Sequence, residues 1–235
     1  MAAIAAANIQ SPLPGEALDI GSGKGELIGA IRTRFGLRTT ACDYTDTLMN
    51  DSTQRVDIVD LNAGKLPYSD GRFCLVTCVE TIEHLEQTRS LLREIYRVLE
   101  PGGLAVITTP NILNLRSRLR YLMTGFFSLF HPLPVLERSQ PRGRINPVGY
   151  FYLAHALLET GFLDLESKID RYERRSRVSW IILFLPIRIV GLLFWLREKN
   201  KFHTITPENR ALVAAVNSRD LLLGRTLILC ARKPM

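Results

Sequence analysis

Two stretches carry residue types whose spacing could do chemistry. The first is Glu16 to Glu26, EALDIGSGKGE. A short apolar run, Ala17 to Ile20, leads into glycines at 21, 23 and 25 and then into a helix-forming segment. Gly21, Gly23 and Gly25 let the backbone bend sharply and come close to a ligand. The helix behind them offers unpaired N–H groups to an acceptor. An acid, Asp19, stands just before the turn. A dinucleotide fingerprint would need a third glycine where Glu26 stands, so that pattern fails. The second stretch is Glu80-Thr81-Ile82-Glu83-His84, two carboxylates and an imidazole together. In a helical turn, positions i, i+3 and i+4 share one face. Glu80, Glu83 and His84 could then hold Mg2+ or another divalent metal such as Mn2+ or Zn2+. His84 or Glu80 could instead act as a general base. The same residues could also simply cap a helix or hold a strand-to-helix turn.

The elements around these stretches alternate strand and helix. Ala17 to Ile20 reads as the first strand, with a helix from about Lys24 to Phe35 closed by Gly36. LRTTAC is the second strand and ends at Asp43; Val56 to Val59 is the third and ends in Asp60-Leu61-Asn62. CLVTC is apolar on both faces, as a central parallel strand should be. A helix over 86–99 follows, stopped by the PGG at 101–103, and LAVITT is the fifth strand. Doubly wound sheets of this kind place their ligand crevice at the strands' C-terminal ends. Asp43 is well placed there to accept the two hydroxyls of a ribose, unless it is an ordinary surface aspartate.

The string Asp19-x-Gly21-x-Gly23-x-Gly25 resembles the first motif of the class I S-adenosylmethionine (SAM) methyltransferases. LPYSDGRFCLVTCVETIEHLE and LREIYRVLEPGGLAVITTPN resemble the same family, in its methyltransferase type 11 group. The E-x-x-E-H string is similar to that of ubiquinone-biosynthesis O-methyltransferases and of small-RNA 2′-O-methyltransferases, where it is associated with a divalent metal. The resemblance is dense over 16–111 and looser beyond. It implies an α/β, Rossmann-like, doubly wound sheet of seven strands, the last antiparallel. It also implies SAM as cofactor, held by Asp19, Gly21, Ser22, Gly23 and Gly25, by Asp43 and Tyr44, by Asp60 and Leu61 at the adenine, and by Val79. Many relatives carry a histidine just before the helix read over 146–162; this chain has Arg144 there. Relatives also tend to have longer helices ahead of the first strand, so closure over SAM is expected from 124–147, from an insertion or from a partner.

The 235 residues suit one domain: a cofactor core over 16–111, a lid or acceptor region over 112–147, and an apolar and basic insertion over 172–222. GFFSLFHPLPVL at 125–136, with its two prolines, reads as part of that lid. LDLESKID is the expected sixth strand and LGRTLILCARK the last. No secretory signal is legible in MAAIAAANIQ, and the four cysteines form no C-x-x-C pair. Buried free thiols in a cytoplasmic, reducing setting are the expectation. Residues 1–110 hold ten Lys and Arg against fourteen Asp and Glu; residues 111–235 hold twenty against nine. Such asymmetry points to an anionic partner or to a solvated basic face.

VSWIILFLPIRIVGLLFWL at 178–196 is 19 residues long, enough to span a bilayer. Arg188 near its middle and Pro186, expected to break the helix, oppose a span. A peripheral contact with the anionic inner face of a membrane is expected instead, with Trp180 and Trp195 at the interface. The functional expectation is O-methylation of an apolar or lipid-linked small-molecule acceptor. RNA 2′-O-methylation is the rival reading, weakened because no RNA-binding module is recognisable. A catalytically silent SAM-fold partner subunit is the alternative from a different class.

Overall fold

The computed structural model of the chain describes residues 15–134 and 143–235. The segment ahead of the first strand and the 135–142 portion of the expected lid lie outside the described residues. The described chain runs β1 (Glu16–Ile20), α1 (Glu26–Phe35), β2 (Arg38–Asp43), β3 (Val56–Ile58), β4 (Phe73–Val79), α2 (Thr88–Val98), β5 (Leu99–Pro110) and α3 (Leu115–Thr124). It continues through α4 (Tyr150–Thr160), β6 (Leu163–Ile169), α5 (Arg174–Arg197), α6 (Arg210–Ala215), α7 (Arg219–Leu223) and β7 (Thr226–Arg232).

The seven strands form one sheet in the order β3-β2-β1-β4-β5-β7-β6. β1 to β5 pair in parallel, and β7 runs antiparallel to both β5 and β6. The order reverses between β1 and β4, which sets the crevice of a doubly wound sheet at their C-terminal ends.

Side chains alternate across the sheet, and each face builds its own core. On one face Leu18, Val76, Cys78, Ala105 and Leu229 pack with α2, α4 and α7 through Ile95, Leu157 and Leu221. On the other, Ala17, Leu75, Val106 and Ile228 pack with Ile31 and Phe35 of α1. β4 is buried at every position but its last, as a central strand with both faces covered must be. All four cysteines are buried and unpaired.

Several elements differ from expectation, each for a physical reason. PGG at 101–103 does not lie outside a strand: Gly102, at φ +78°, turns within the long β5, where its N–H meets the Lys233 carbonyl at 3.0 Å. The helix read over 146–162 begins only at Tyr150, because the N–H groups of Ile145 and Asn146 bond the Glu83 carbonyl instead, at 2.9 Å each. The helix α5 is continuous through Pro186 rather than broken there. Proline removes one backbone donor, and the 24-residue helix on both sides carries the interruption.

Candidate active site

The glycine turn joins β1 to α1 across the end of β2. The N–H groups of Gly21 and Ser22 donate to the Cys42 carbonyl at 2.8 and 3.2 Å, and Gly23 N–H donates to Asp43 Oδ2 at 2.8 Å. Tyr44 N–H donates to Asp43 Oδ1 at 2.7 Å. The Asp43 carboxylate is thus fixed by two backbone donors while keeping further lone pairs for a ligand. Gly21 has φ +72°, and a Cβ there would stand 2.1 Å from Thr81 Oγ1. The end of β1 can therefore lie against the turn after β4 only with glycine at this position. Gly23, at φ +48°, has open space where its Cβ would be.

Asp19, Gly21, Ser22 and Val79 line one cavity of about 260 Å³, with Lys24, Glu26 and Leu27. Asp19 is almost wholly buried and accepts the Thr77 hydroxyl at 2.6 Å. Burial pushes its carboxyl up to about 7, against the lowering pull of that hydrogen bond, and the nearby Asp43 charge adds to the rise. Ser22 Oγ is buried without a partner. Asp60 and Leu61 do not line this cavity. They stand after β3, where Asp60 is exposed and holds its own turn by accepting Asn62 N–H at 2.9 Å.

These residues fit SAM by their chemistry. A buried hydroxyl with no partner and a helix start whose N-cap is Gly25, a residue with no side chain to cap the first N–H groups, suit a carboxylate. Asp19 suits a cationic group, and Asp43 suits a pair of hydroxyls.

At the end of the adjacent strand β4 lies the second constellation. Glu80 sits in the left-handed region at φ +50°, where a side chain costs energy and which recurs at functional sites. Ile82–His84 then form one short helical turn. Glu83 is fully buried and accepts the Thr109 hydroxyl at 3.3 Å. Arg144 arrives from far along the chain. Its Nη2 lies 3.2 Å from Glu80 Oε2, and its Nε lies 3.4 Å from Glu83 Oε1. Burial, then repulsion from Glu83, raises the Glu80 carboxyl to about 7, while Arg144 and Arg225 pull it down. The Glu83 carboxyl is raised too, mainly by burial. Glu80 Oε1 is buried without a partner.

This arrangement corrects the expected metal site at Glu80, Glu83 and His84. The Arg144 guanidinium already bridges the two carboxylates, supplying the cation they need. Among the described residues no group of three or more His, Cys, Asp or Glu side chains is placed to hold a metal. The arginine at 144, where many relatives carry a histidine, is a residue of this constellation that spacing alone did not reveal. The signal for it was the departure from the relatives' histidine.

Residues 18–107 match the family described as "Methyltransferase domain". The chain is 29% identical over 156 residues to the ubiquinone/menaquinone biosynthesis C-methyltransferase UbiE of Desulfotalea psychrophila, covering 63% of this chain and 60% of that protein. It is 32% identical over 106 residues to the ubiquinone biosynthesis O-methyltransferase of Xanthomonas oryzae pv. oryzae, covering 40% and 42%. The chain therefore matches less than two thirds of the length of either relative. The fold is shared with the crystal structure of a SAM-dependent methyltransferase from Archaeoglobus fulgidus, at TM-score 0.58 and 17% identity, over 93% of this chain and 86% of that one.

Proposed function

The chain belongs to the class I SAM-dependent methyltransferase family, and from that premise we propose that it transfers a methyl group to a hydroxyl of an apolar or lipid-linked acceptor. The observation that carries this reading is the meeting, at the ends of neighbouring strands β1 and β4, of a SAM-compatible glycine turn and a poised carboxylate, Glu80. Two relatives named for ubiquinone biosynthesis support an apolar acceptor.

When bound, SAM supplies a methyl group on a sulfonium, activated for displacement. The glycine turn, Asp19 and Ser22 would hold its amino-acid end, and Asp43 its ribose. Glu80 would accept the acceptor's proton through Oε1, the oxygen that Arg144 leaves free. A carboxyl held near 7 suits that task, because an effective base has a pKa near the working pH. Arg144 is a positioning residue: it fixes Glu80 and offsets the charge of Glu83. His84 stands one residue beyond Glu83 and remains the second candidate base.

The test is methyl transfer from labelled SAM into the organic-extractable fraction of a cell lipid preparation. Label in that fraction that disappears in Glu80→Gln, with SAM affinity kept, supports the reading. Label appearing only in RNA would replace it with the nucleic-acid rival.

A further inference from the structure

Two features outside the crevice adjoin each other. The first is α5. Only a narrow stripe of it turns toward the body, through Ser176, Trp180, Leu183, Ile187, Gly191 and Trp195. Asn217 Nδ2 would lie 3.0 Å from a Cβ at Gly191, and the guanidinium groups of Arg219 and Arg210 lie 5.9 Å from the rings of Trp180 and Trp195. Apart from Arg188 near its middle and the arginines at its two ends, the outward residues of the helix are apolar, from Leu196 at 39% exposed to Ile181 at 77%. α3 packs against α5 and adds Leu122 and Met123, 78% and 79% exposed. A soluble surface rarely carries so continuous an apolar face without an occupant.

The helix is long and apolar enough to cross a bilayer. A single crossing is ruled out by the sheet, because α5 lies between β6 and β7 and those strands pair with each other. Around the helix ends Arg174, Arg175, Arg177, Arg197, Lys199 and Lys201 form a basic collar. An apolar face with a basic rim matches the interface of an anionic bilayer.

The second feature is a cleft of about 580 Å³ at the first turn of α5, beside the C-terminal end of β5. Arg116, Arg120, Arg171, Arg174, Arg225 and His131 line it. Its one acid, Glu173, is paired with Arg116. Among the described residues Arg120, Arg174 and Arg225 make no ion pair. Ser128 Oγ, also on the wall, is buried without a partner, and the neighbouring Leu129 is held at φ +68°. The start of α5 has no side-chain cap, which leaves its first N–H groups for an acceptor. The cleft adjoins the active site: Arg144 Nη1 lies 3.5 Å from the Leu129 carbonyl, and the charge of Arg225 reaches Glu80.

We propose that this cleft binds the phosphate group of a membrane lipid, with α5 lying in one leaflet, so that the acceptor is a phosphorylated lipid drawn from the bilayer surface. The assignment of that lipid as acceptor rests on the methyltransferase reading; its binding does not. Guanidinium groups pair with phosphate oxygens through parallel charge-assisted hydrogen bonds, so three arginines that make no ion pair among the described residues suit a phosphomonoester. The outward face of α5 begins where the cleft opens, at Arg174, so a head group in the cleft leaves its chains beside that face.

The test floats the purified full chain on vesicles of phosphatidylcholine alone, with added phosphatidylglycerol, and with phosphatidic acid at matched total charge. The phosphomonoester vesicles should bind about tenfold more tightly than the phosphodiester ones. Arg120→Gln with Arg174→Gln should remove that preference and leave binding to phosphatidylglycerol. Ile181→Ser with Leu185→Ser should remove flotation on every vesicle. Equal binding to both anionic vesicles, or a preference untouched by the arginine variants, overturns the phosphate site. Calorimetric binding of inorganic phosphate without flotation makes it a soluble-ligand site and overturns the lipid. Failure to float together with a concentration-dependent dimer assigns α5 to a second copy. SAM titration of every sample keeps the two readings apart: vesicle binding without SAM binding sinks the methyltransferase reading alone, and the converse sinks the lipid alone.

Discussion

The half of the molecule up to Asn111 and the half beyond it treat charge and apolar surface in opposite ways. In the first half acids are buried and held: Asp43 by two backbone N–H groups, Asp19 by Thr77, Glu83 by Thr109 and Arg144. In the second half apolar side chains are exposed along α5, and five arginines gather around a cleft, three of them without an ion pair among the described residues. The contrast separates two tasks. A site for one small ligand is best built on rigid strand ends, with only the few atoms that would meet the ligand, here Ser22 Oγ and Glu80 Oε1, left without a partner. A site that takes its ligand from a surface must in addition leave apolar side chains exposed until it meets that surface.

Several substitutions would sharpen or break this division. The largest effect is expected where the halves meet. Glu80→Gln should lower the rate of methyl transfer by about 10²–10⁴ while SAM affinity stays, as for loss of a general base. Next is Gly21→Val, which forces a side chain into the left-handed region and against Thr81. It should cost about 2–5 kcal/mol of stability or abolish SAM binding, read from thermal melts and calorimetry. Arg144→Gln removes the cation between two carboxylates and should cost about tenfold in rate. It should also move the acid limb of the pH–rate profile upward, because Arg144, ahead of Arg225, pulls the Glu80 carboxyl down. A profile that does not move would deny the pairing its role.

A further effect, on stability rather than on rate, concerns Asp19. Its carboxyl is raised in the fold from 3.8 to about 7, chiefly by burial. A raised group favours the folded state below its unfolded pKa, and that contribution is lost as pH rises toward the folded value. Ligand-free protein should therefore melt lower as pH rises from about 4 to about 7, and Asp19→Asn should flatten that slope. A slope unchanged in Asp19→Asn would mean that the acid is not dry.

What could be read along the chain was local. The glycine turn and the doubly apolar run of β4 depend on neighbours in sequence, and each lies close to where spacing put it. The active site was legible only in part. Glu80 and Glu83 announced themselves, but Arg144, 64 and 61 residues away, is what makes them an ion-paired set rather than a metal site. Pro186 read as a breaker, yet α5 runs through it. Composition marked 178–196 as apolar but could not say whether that surface was covered; only the packing of the stripe from Ser176 to Trp195 decides that most of it faces outward.

The account stands most directly on the crevice of the first half. Titration of the purified chain with S-adenosylhomocysteine should give saturable binding. Asp43→Ala should weaken it at least about tenfold, since each charge-assisted hydrogen bond to a ribose hydroxyl contributes about 1.5–3 kcal/mol. No binding by the wild-type chain, or the same affinity in Asp43→Ala, would contradict it.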